Sequence, residues 1–481
     1  MLNTNSSPVL ARGVGGSGKP APPIPLSGAA TLLRTGSVII ITLSLTACFD
    51  RKIASVTPEQ GKVETKDLPS NPNRDADILF LIDNSGSMAE EQTSLRQNFP
   101  RFMDVLSTIE GGLPNLHIGV ATSNLGMKAS DGIANASFGG CTGAGDDGAL
   151  QTNALITGRF IIDEELANGT RNVNYSGALA DAFSALADVG TAGCGIEQHL
   201  GAIERTLTNS TNAGFLRPSA KLAVIVIADE DDCSLAHKAL FEGETDGSVV
   251  NFRCTQDAIQ CEHPLSEPGL LTQCEPRDTT QYLEPVDRYV SFLRGLKANP
   301  RDDVIVAGIV GDNNPFQIVL DAQQRAVLGP SCVYGGTQAA FPALRTSEFI
   351  RGFDRQVQRT ICGADLTAAL VEIAALLKRS FGDPCFESLV VDQDPATPGL
   401  QADCSVSDVR VFPDGSEQEL ATIPECGTGA LPCWRIETDT RQCFYTESNL
   451  KLVIDRGGVI PPDDIHVRAS CETSVDDGSF Q

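Results

Sequence analysis

Asp77-Ile-Leu-Phe-Leu-Ile-Asp-Asn-Ser-Gly-Ser-Met88 joins an apolar segment directly to a polar, glycine-containing turn. Residues 78–82 are a continuous apolar run, too short for a helix, and such a run suits a strand buried on both faces of a sheet. Asp83-Asn84-Ser85-Gly86-Ser87 then leaves the strand as a polar turn. One carboxylate and two hydroxyls share this loop, and hard oxygen ligands of that kind suit Mg²⁺, Mn²⁺ or Ca²⁺. Asp and Ser are common in turns. What makes the combination specific is the buried strand before it and the amphipathic pattern after it.

Outward from this stretch, similar apolar runs recur at 116–121, 222–228 and 304–310, with helical patterns between them. Leu95, Phe99, Phe102, Met103 and Leu106 share one face, with Pro100 expected to kink or interrupt that helix. Leu179, Phe183 and Leu186 form a second face, and Tyr289, Phe292, Leu293 and Leu296 a third. Leu366, Leu370, Ile373, Ala374 and Leu377 form a last one behind an Asp365 cap. Strands alternating with helices predict an α/β fold: a doubly wound, mostly parallel, Rossmann-like sheet with helices on both faces. Open sheets of this class gather ligands at the carboxyl ends of their strands, where the 83–88 loop lies.

The Asp83-x-Ser85-x-Ser87 pattern resembles the core of the metal-ion-dependent adhesion site of von Willebrand factor A (vWA) and integrin I domains. The resemblance implies a vWA fold over residues 75–384 and a bound Mg²⁺, Mn²⁺ or Ca²⁺. It also implies an open coordination position that accepts an acidic residue of a protein partner. The family's last ligand ends a later strand, and Asp229 takes that role at the end of the 221–229 run. The following Glu230-Asp231-Asp232 departs from the usual Gly and reads either as a solvated acidic turn or as a further carboxylate for the ion. The middle ligand, ordinarily a Thr, is missing from Gly190-Thr-Ala-Gly-Cys-Gly-Ile-Glu-Gln198, leaving Thr191 and Glu197 as candidates. The segments 193–198 and 229–234 also resemble a group of vWA lipoproteins of Gram-negative bacteria, over about residues 75–385. In the vWA fold the loops carrying Cys194 and Cys233 meet at the metal, which implies a Cys194–Cys233 disulfide. The alternative is that Cys233 pairs with Cys254, Cys261 or Cys274.

At the N-terminus, residues 1–47 carry no Asp or Glu, and a short apolar core at 37–47 ends in Leu45-Thr46-Ala47-Cys48. The core is too short to span a bilayer and has the length of a signal-peptide core. The tetrapeptide resembles a bacterial lipobox, which implies cleavage before Cys48, lipidation of its thiol and anchoring by acyl chains. Phe49, where an Asp would favour inner-membrane retention, points to the outer membrane, with the protein facing the periplasm or the cell surface. Residues 48–74 read as a polar tether. The other 14 of the 15 cysteines lie beyond residue 140, and export makes disulfides their natural state. Four fall in 233–276, read as a disulfide-rich insertion, and six in 385–481, read as a small disulfide-rich β-domain.

The formal charge of −26 argues against nucleic acid, whose phosphates it would repel. No Gly-x-x-x-x-Gly-Lys-Ser/Thr loop exists for a nucleotide. Ser85 and Ser87 lack the Gly-x-Ser-x-Gly elbow of a nucleophile, and neither His117, opening a strand, nor His199, in a helix, is placed as their base. The sequence is therefore read as a non-enzymatic, lipid-anchored envelope protein in which a cation-loaded vWA domain mediates protein–protein adhesion or assembly. The alternatives are an ion-free structural scaffold, which calorimetry with divalent ions separates, and a metal-dependent hydrolase, which a screen for turnover addresses.

Overall fold

The computed structural model describes residues 63–473, apart from 71–72, 110–111, 127–140, 142, 167, 242–249, 278, 335–337, 364, 413–414, 428, 460 and 463. Cys48 and the signal-peptide reading of 1–47 lie outside the described residues. The strand Asp75–Ile82 is buried from its second residue to its end. Asn115–Thr122 and Lys221–Ile227 lie parallel on its two sides. Val304–Val310 adds in parallel beyond Lys221–Ile227, and Arg355–Thr360 in parallel beyond that. At the other edge Ile161–Glu165 and Arg171–Val173 run antiparallel. The seven-stranded sheet is thus mixed, a parallel block with an antiparallel edge.

Alternation along the central strand divides the core in two. Ile78, Phe80 and Ile82 pack on one face with Phe99 and Phe102 of helix Ala89–Leu106, Phe183 of Leu179–Leu186 and Leu370, Ile373 and Leu377 of Thr367–Ser380. Leu79 and Leu81 pack on the other with Leu200 and Ile203 of His199–Thr208, Tyr289 and Leu293 of Val286–Arg294 and Phe349 of Leu344–Arg351. Both faces are covered, which is why the strand is apolar from Ile78 to Ile82. Phe80 is fully buried and meets the rings of Phe99 and Phe102 edge-on. Truncation of such a residue to Ala costs about 3–5 kcal/mol.

Pro100 does not interrupt its helix: Ala89–Leu106 runs through it without a break. The ring faces solvent, and the carbonyl of Arg96, which loses its usual intrahelical donor to the proline, accepts the Ser184 hydroxyl at 3.3 Å. Leu366, not Asp365, is the N-cap of the last helix; Asp365 lies one residue before it, its Oδ1 accepting the N–H of the first helical residue, Thr367, at 2.8 Å.

The insertion differs from its reading in one respect: it contains the helix Val250–Ala258 beside short strands. Its strand Gly269–Leu271 pairs with Phe316–Leu320, a later segment, so the two excursions build one accessory lobe. That lobe has its own core, including Phe241, Phe252, Phe316 and Ile318.

The tether reading fails at its C-terminal part. Val63–Pro69 is a strand, paired antiparallel with Ile465–Glu472 along its whole length. Nothing periodic marks it in the sequence; a partner some 400 residues away fixes it. The same sheet includes Cys404–Val411 and Glu417–Thr422, and the hairpin Cys433–Thr438/Leu450–Asp455 completes the C-terminal β-structure. Cys385–Cys443, Cys404–Cys471 and Cys426–Cys433 staple it internally. Buried Lys378 ties it to the α/β layer, donating to the Gln442 carbonyl at 2.8 Å and to Thr108 Oγ1 at 3.1 Å. Among the described residues no helix is long and apolar enough to cross a membrane.

Candidate functional site

The carboxyl ends of the parallel strands bring together the loops that follow Ile82, Thr122 and Ile227. Asp83 is fully buried; its N–H donates to the Ile227 carbonyl at 2.9 Å, so the loop starts in register with the neighbouring strand. Its Oδ1 accepts the Ser85 N–H at 2.8 Å and the Ser123 hydroxyl at 3.1 Å. Its Oδ2 has no hydrogen-bond partner. The Ser85 and Ser87 hydroxyls lie 3.1 Å apart, with Ser85 buried and Ser87 exposed at the rim.

Two further carboxylates share this pattern. Asp229, 3% exposed, has an unpartnered Oδ1, and Glu197, 1% exposed, an unpartnered Oε1. Burial pushes the Glu197 carboxyl well above the usual carboxylate range, reinforced by the charges of Glu230 and Asp83. Burial does the same to Asp229, reinforced by Asp83 and Glu230 and opposed by the Ser87 hydroxyl. Glu91, on the helix after the loop, is raised by burial and by Glu90 and Asp83. Each unpartnered buried oxygen is costly in an apolar setting. A divalent cation supplies what they lack: opposite charge and oxygen-seeking coordination.

The chemistry of these donors suits a hard cation, and Asp83, Ser85, Ser87, Asp229 and Glu197 are the residues that could hold one. Among the described residues no group of three or more His, Cys, Asp or Glu side chains is arranged to hold a metal ion. Thr191, the other candidate for the middle position, is exposed on its loop and outside the carboxylate cluster's hydrogen bonds.

The acidic run after Asp229 is not a solvated turn. Asp231 accepts the N–H groups of Arg345 and Thr346 at 2.9 and 3.0 Å, capping the start of Leu344–Arg351. Asp232, buried, accepts the Leu200 N–H at 2.9 Å and pairs with buried Arg345 at 3.0 Å. Both are structural clamps, and only Glu230 turns toward Glu197.

The Cys194–Cys233 disulfide is corrected. Cys194 bonds to Cys141 and Cys233 to Cys254. The loops do meet: the Cys233 N–H donates to the Glu197 carbonyl at 2.7 Å. Each sulfur fastens its own loop elsewhere, Cys233 to Cys254 on the insertion helix Val250–Ala258 and Cys194 to Cys141. The turn around Gly145-Asp-Asp-Gly148 is committed internally, Asp147 to Arg205 at 2.8 Å and Asp146 to Thr122.

Several site residues carry no local signal. His199 is fully buried with Nε2 3.8 Å from Asp83 Oδ2, an ionic contact longer than a hydrogen bond. Burial lowers its basicity, but Asp83, Asp232 and Asp231 outweigh this and raise it. Gln92 Nε2 bridges the Asp83 carbonyl at 3.2 Å and the Gly190 carbonyl at 2.8 Å, latching two loops. Gly193 donates its N–H to the Asn84 carbonyl at 2.8 Å, and a Cβ there would fall 2.6 Å from that oxygen. Only glycine permits that approach. His117, by contrast, is structural, bonded to the Phe215 carbonyl at 2.9 Å and to Glu164 at 3.2 Å.

No protein-family profile matches the chain, and no curated protein matches it. Among solved structures it is similar to the proximal thread matrix protein 1 of the mussel byssus at 9% identity and a TM-score of 0.27, covering 65% of this chain and 49% of that one. It is similar to the pilus adhesin RrgA of Streptococcus pneumoniae at 12% identity and a TM-score of 0.27, covering 87% of this chain and 60% of that one. The human COPII-coat protein Sec24c gives 8% identity and a TM-score of 0.25, covering 86% and 42%. The chain thus spans roughly half the length of these structures, and superpositions this loose carry no inference about it.

Proposed function

We propose that this chain is a lipid-anchored envelope protein whose α/β domain, of the vWA type, binds Mg²⁺ or a related divalent cation and uses it to hold a protein partner. The observation that carries the reading is the set of buried carboxylate oxygens without hydrogen-bond partners, Asp83 Oδ2, Glu197 Oε1 and Asp229 Oδ1, beside the Ser85–Ser87 hydroxyl pair. The rim of the cluster is exposed at Gly86 and Ser87, the side from which an acidic residue of a partner would reach the ion. No turnover is assigned to the site. Immobilised protein should retain a defined partner from the envelope fraction in Mg²⁺ and release it in chelator, while Asp83→Ala should retain none in either. Retention that ignores both chelator and substitution contradicts the adhesion reading.

The anchor is proposed at Cys48, on the lipobox-like Leu45-Thr-Ala-Cys48, with the outer membrane as its destination. Cys48→Ser should abolish acyl labelling and membrane partitioning; unchanged partitioning contradicts it. A second reading, an ion-free structural scaffold, is favoured by His199, whose buried ring gives Asp83 an internal basic neighbour.

A further inference from the structure

The buried stripe that seats helix Ala89–Leu106 on the sheet, Leu95, Phe99, Phe102 and Leu106, is continued toward the N-terminus by Gln92. Gln92 is 3% exposed, and helix packing alone would be served there by Leu or Met. A polar side chain at so buried a position is explained by what it bonds. Its Nε2 faces two carbonyl oxygens, that of Asp83 at 3.2 Å and that of Gly190 at 2.8 Å. A primary amide nitrogen carries two hydrogens, one for each carbonyl, and the reverse orientation would set oxygen against oxygen. The helix fixes the point from which the amide reaches: the Gln92 N–H donates to the Met88 carbonyl at 3.0 Å, directly after the Ser85–Ser87 turn.

The two carbonyls belong to different parts of the cluster. Asp83 opens the loop that holds Ser85 and Ser87, and Gly190 opens the segment that ends in Glu197 and Gln198. That segment lies between helices Leu179–Leu186 and His199–Thr208 and has no helix or strand of its own. Its later residues are tied by backbone groups. The Gly193 N–H donates to the Asn84 carbonyl at 2.8 Å, the Gln198 N–H to the Ser123 carbonyl at 3.2 Å, and the Glu197 carbonyl accepts the Cys233 N–H at 2.7 Å. At its start, Gly190 is held by the Gln92 side chain. With its nitrogen on both carbonyls, Gln92 acts on the donor oxygens through the loops it joins, and groups that orient ligands in this way alter the affinity of a metal site.

We propose that Gln92 is a positioning residue of the cation cluster: by joining the Asp83 and Gly190 carbonyls it holds Glu197 within reach of the ion. The proposal rests on the cation reading above. Mn²⁺ binding to the full chain tests the two and tells them apart, with electron paramagnetic resonance reporting the free ion and water-proton relaxation the hydration of the bound one. Gln92→Met keeps the side-chain volume and removes both donors. It should weaken binding by about tenfold or more and leave the bound ion with an additional water, as Glu197 drops away. Glu197→Gln should show the same two changes. Adding Gln92→Met to Glu197→Gln should then cost less than about twofold further, because the two residues act as a unit. Gln92→Asn keeps the amide but is one methylene too short to span both carbonyls, and it should behave as Gln92→Met does. A wild type that binds no Mn²⁺ overturns the cation reading and this proposal with it. A wild type that binds, beside Gln92 variants with equal affinity and hydration, overturns the proposal alone. So does an undiminished loss from Gln92→Met in the Glu197→Gln background, which would make Gln92 a purely structural residue.

Discussion

Asp83 divides its two oxygens between two tasks. Oδ1 organises the loop through Ser85 and Ser123, and Oδ2 is left without a hydrogen bond inside the cluster. The sequence marks Asp83, Ser85, Ser87 and Asp229 because each follows directly on a buried strand, a pattern visible over a dozen residues. It marks Glu197 less sharply, and it cannot mark Ser123, Gln92 or His199, which reach the cluster from other elements through tertiary packing. The raised carboxyls of Glu197 and Asp229 have a consequence for pH. A group that holds its proton above the usual carboxylate range must lose it before it can ligate a cation, so protons compete with the ion. Affinity for Mn²⁺ should therefore fall as pH is lowered from neutrality toward the ordinary carboxylate range, and binding should release protons into the buffer. Calorimetry in two buffers of different ionisation enthalpy measures that release, and an affinity and heat independent of pH and buffer would contradict it.

At the level of elements, what was legible is what repeats. The four inner parallel strands announce themselves as apolar runs, since both faces of each are covered, whereas the parallel edge strand Arg355–Thr360 is polar and carries no such signal; the flanking helices announce themselves by their 3.6-residue stripes. Val63–Pro69 was illegible because its sequence has no alternation and its strand state comes from Ile465–Glu472. The continuation of the helix through Pro100 is illegible for a related reason: the hydroxyl that meets the freed Arg96 carbonyl belongs to Ser184, on another helix. Cysteine pairing depends likewise on loop paths that spacing does not reveal. Cys141–Cys194 closes a separation of 53 residues and pins the loop that leads to Glu197. Chain entropy assigns such a crosslink about 4 kcal/mol. Replacing both cysteines with serine should lower unfolding stability by about that amount in denaturant titration and weaken ion binding with it. Unchanged stability would show that the loop is held by other means, Gln92 and Gly193 first among them.

For the molecule as a whole, the acidic surface and the acidic cluster are separate matters. The overall charge of −26 belongs to the whole chain, whereas the unpartnered buried carboxylate oxygens of Asp83, Glu197 and Asp229 are gathered at one end of the sheet. An accessory lobe from two excursions of the chain packs against that end, with the Phe341 N–H on the Asp229 carbonyl at 2.7 Å. If this cluster is built for a divalent cation, titration of Mn²⁺ into the metal-free protein at neutral pH will show it. One saturable site should appear in the wild type and disappear in Asp83→Ala, with the variant's circular dichroism unchanged. A wild type that gives no binding heat, or a variant that binds Mn²⁺ as the wild type does, would contradict it.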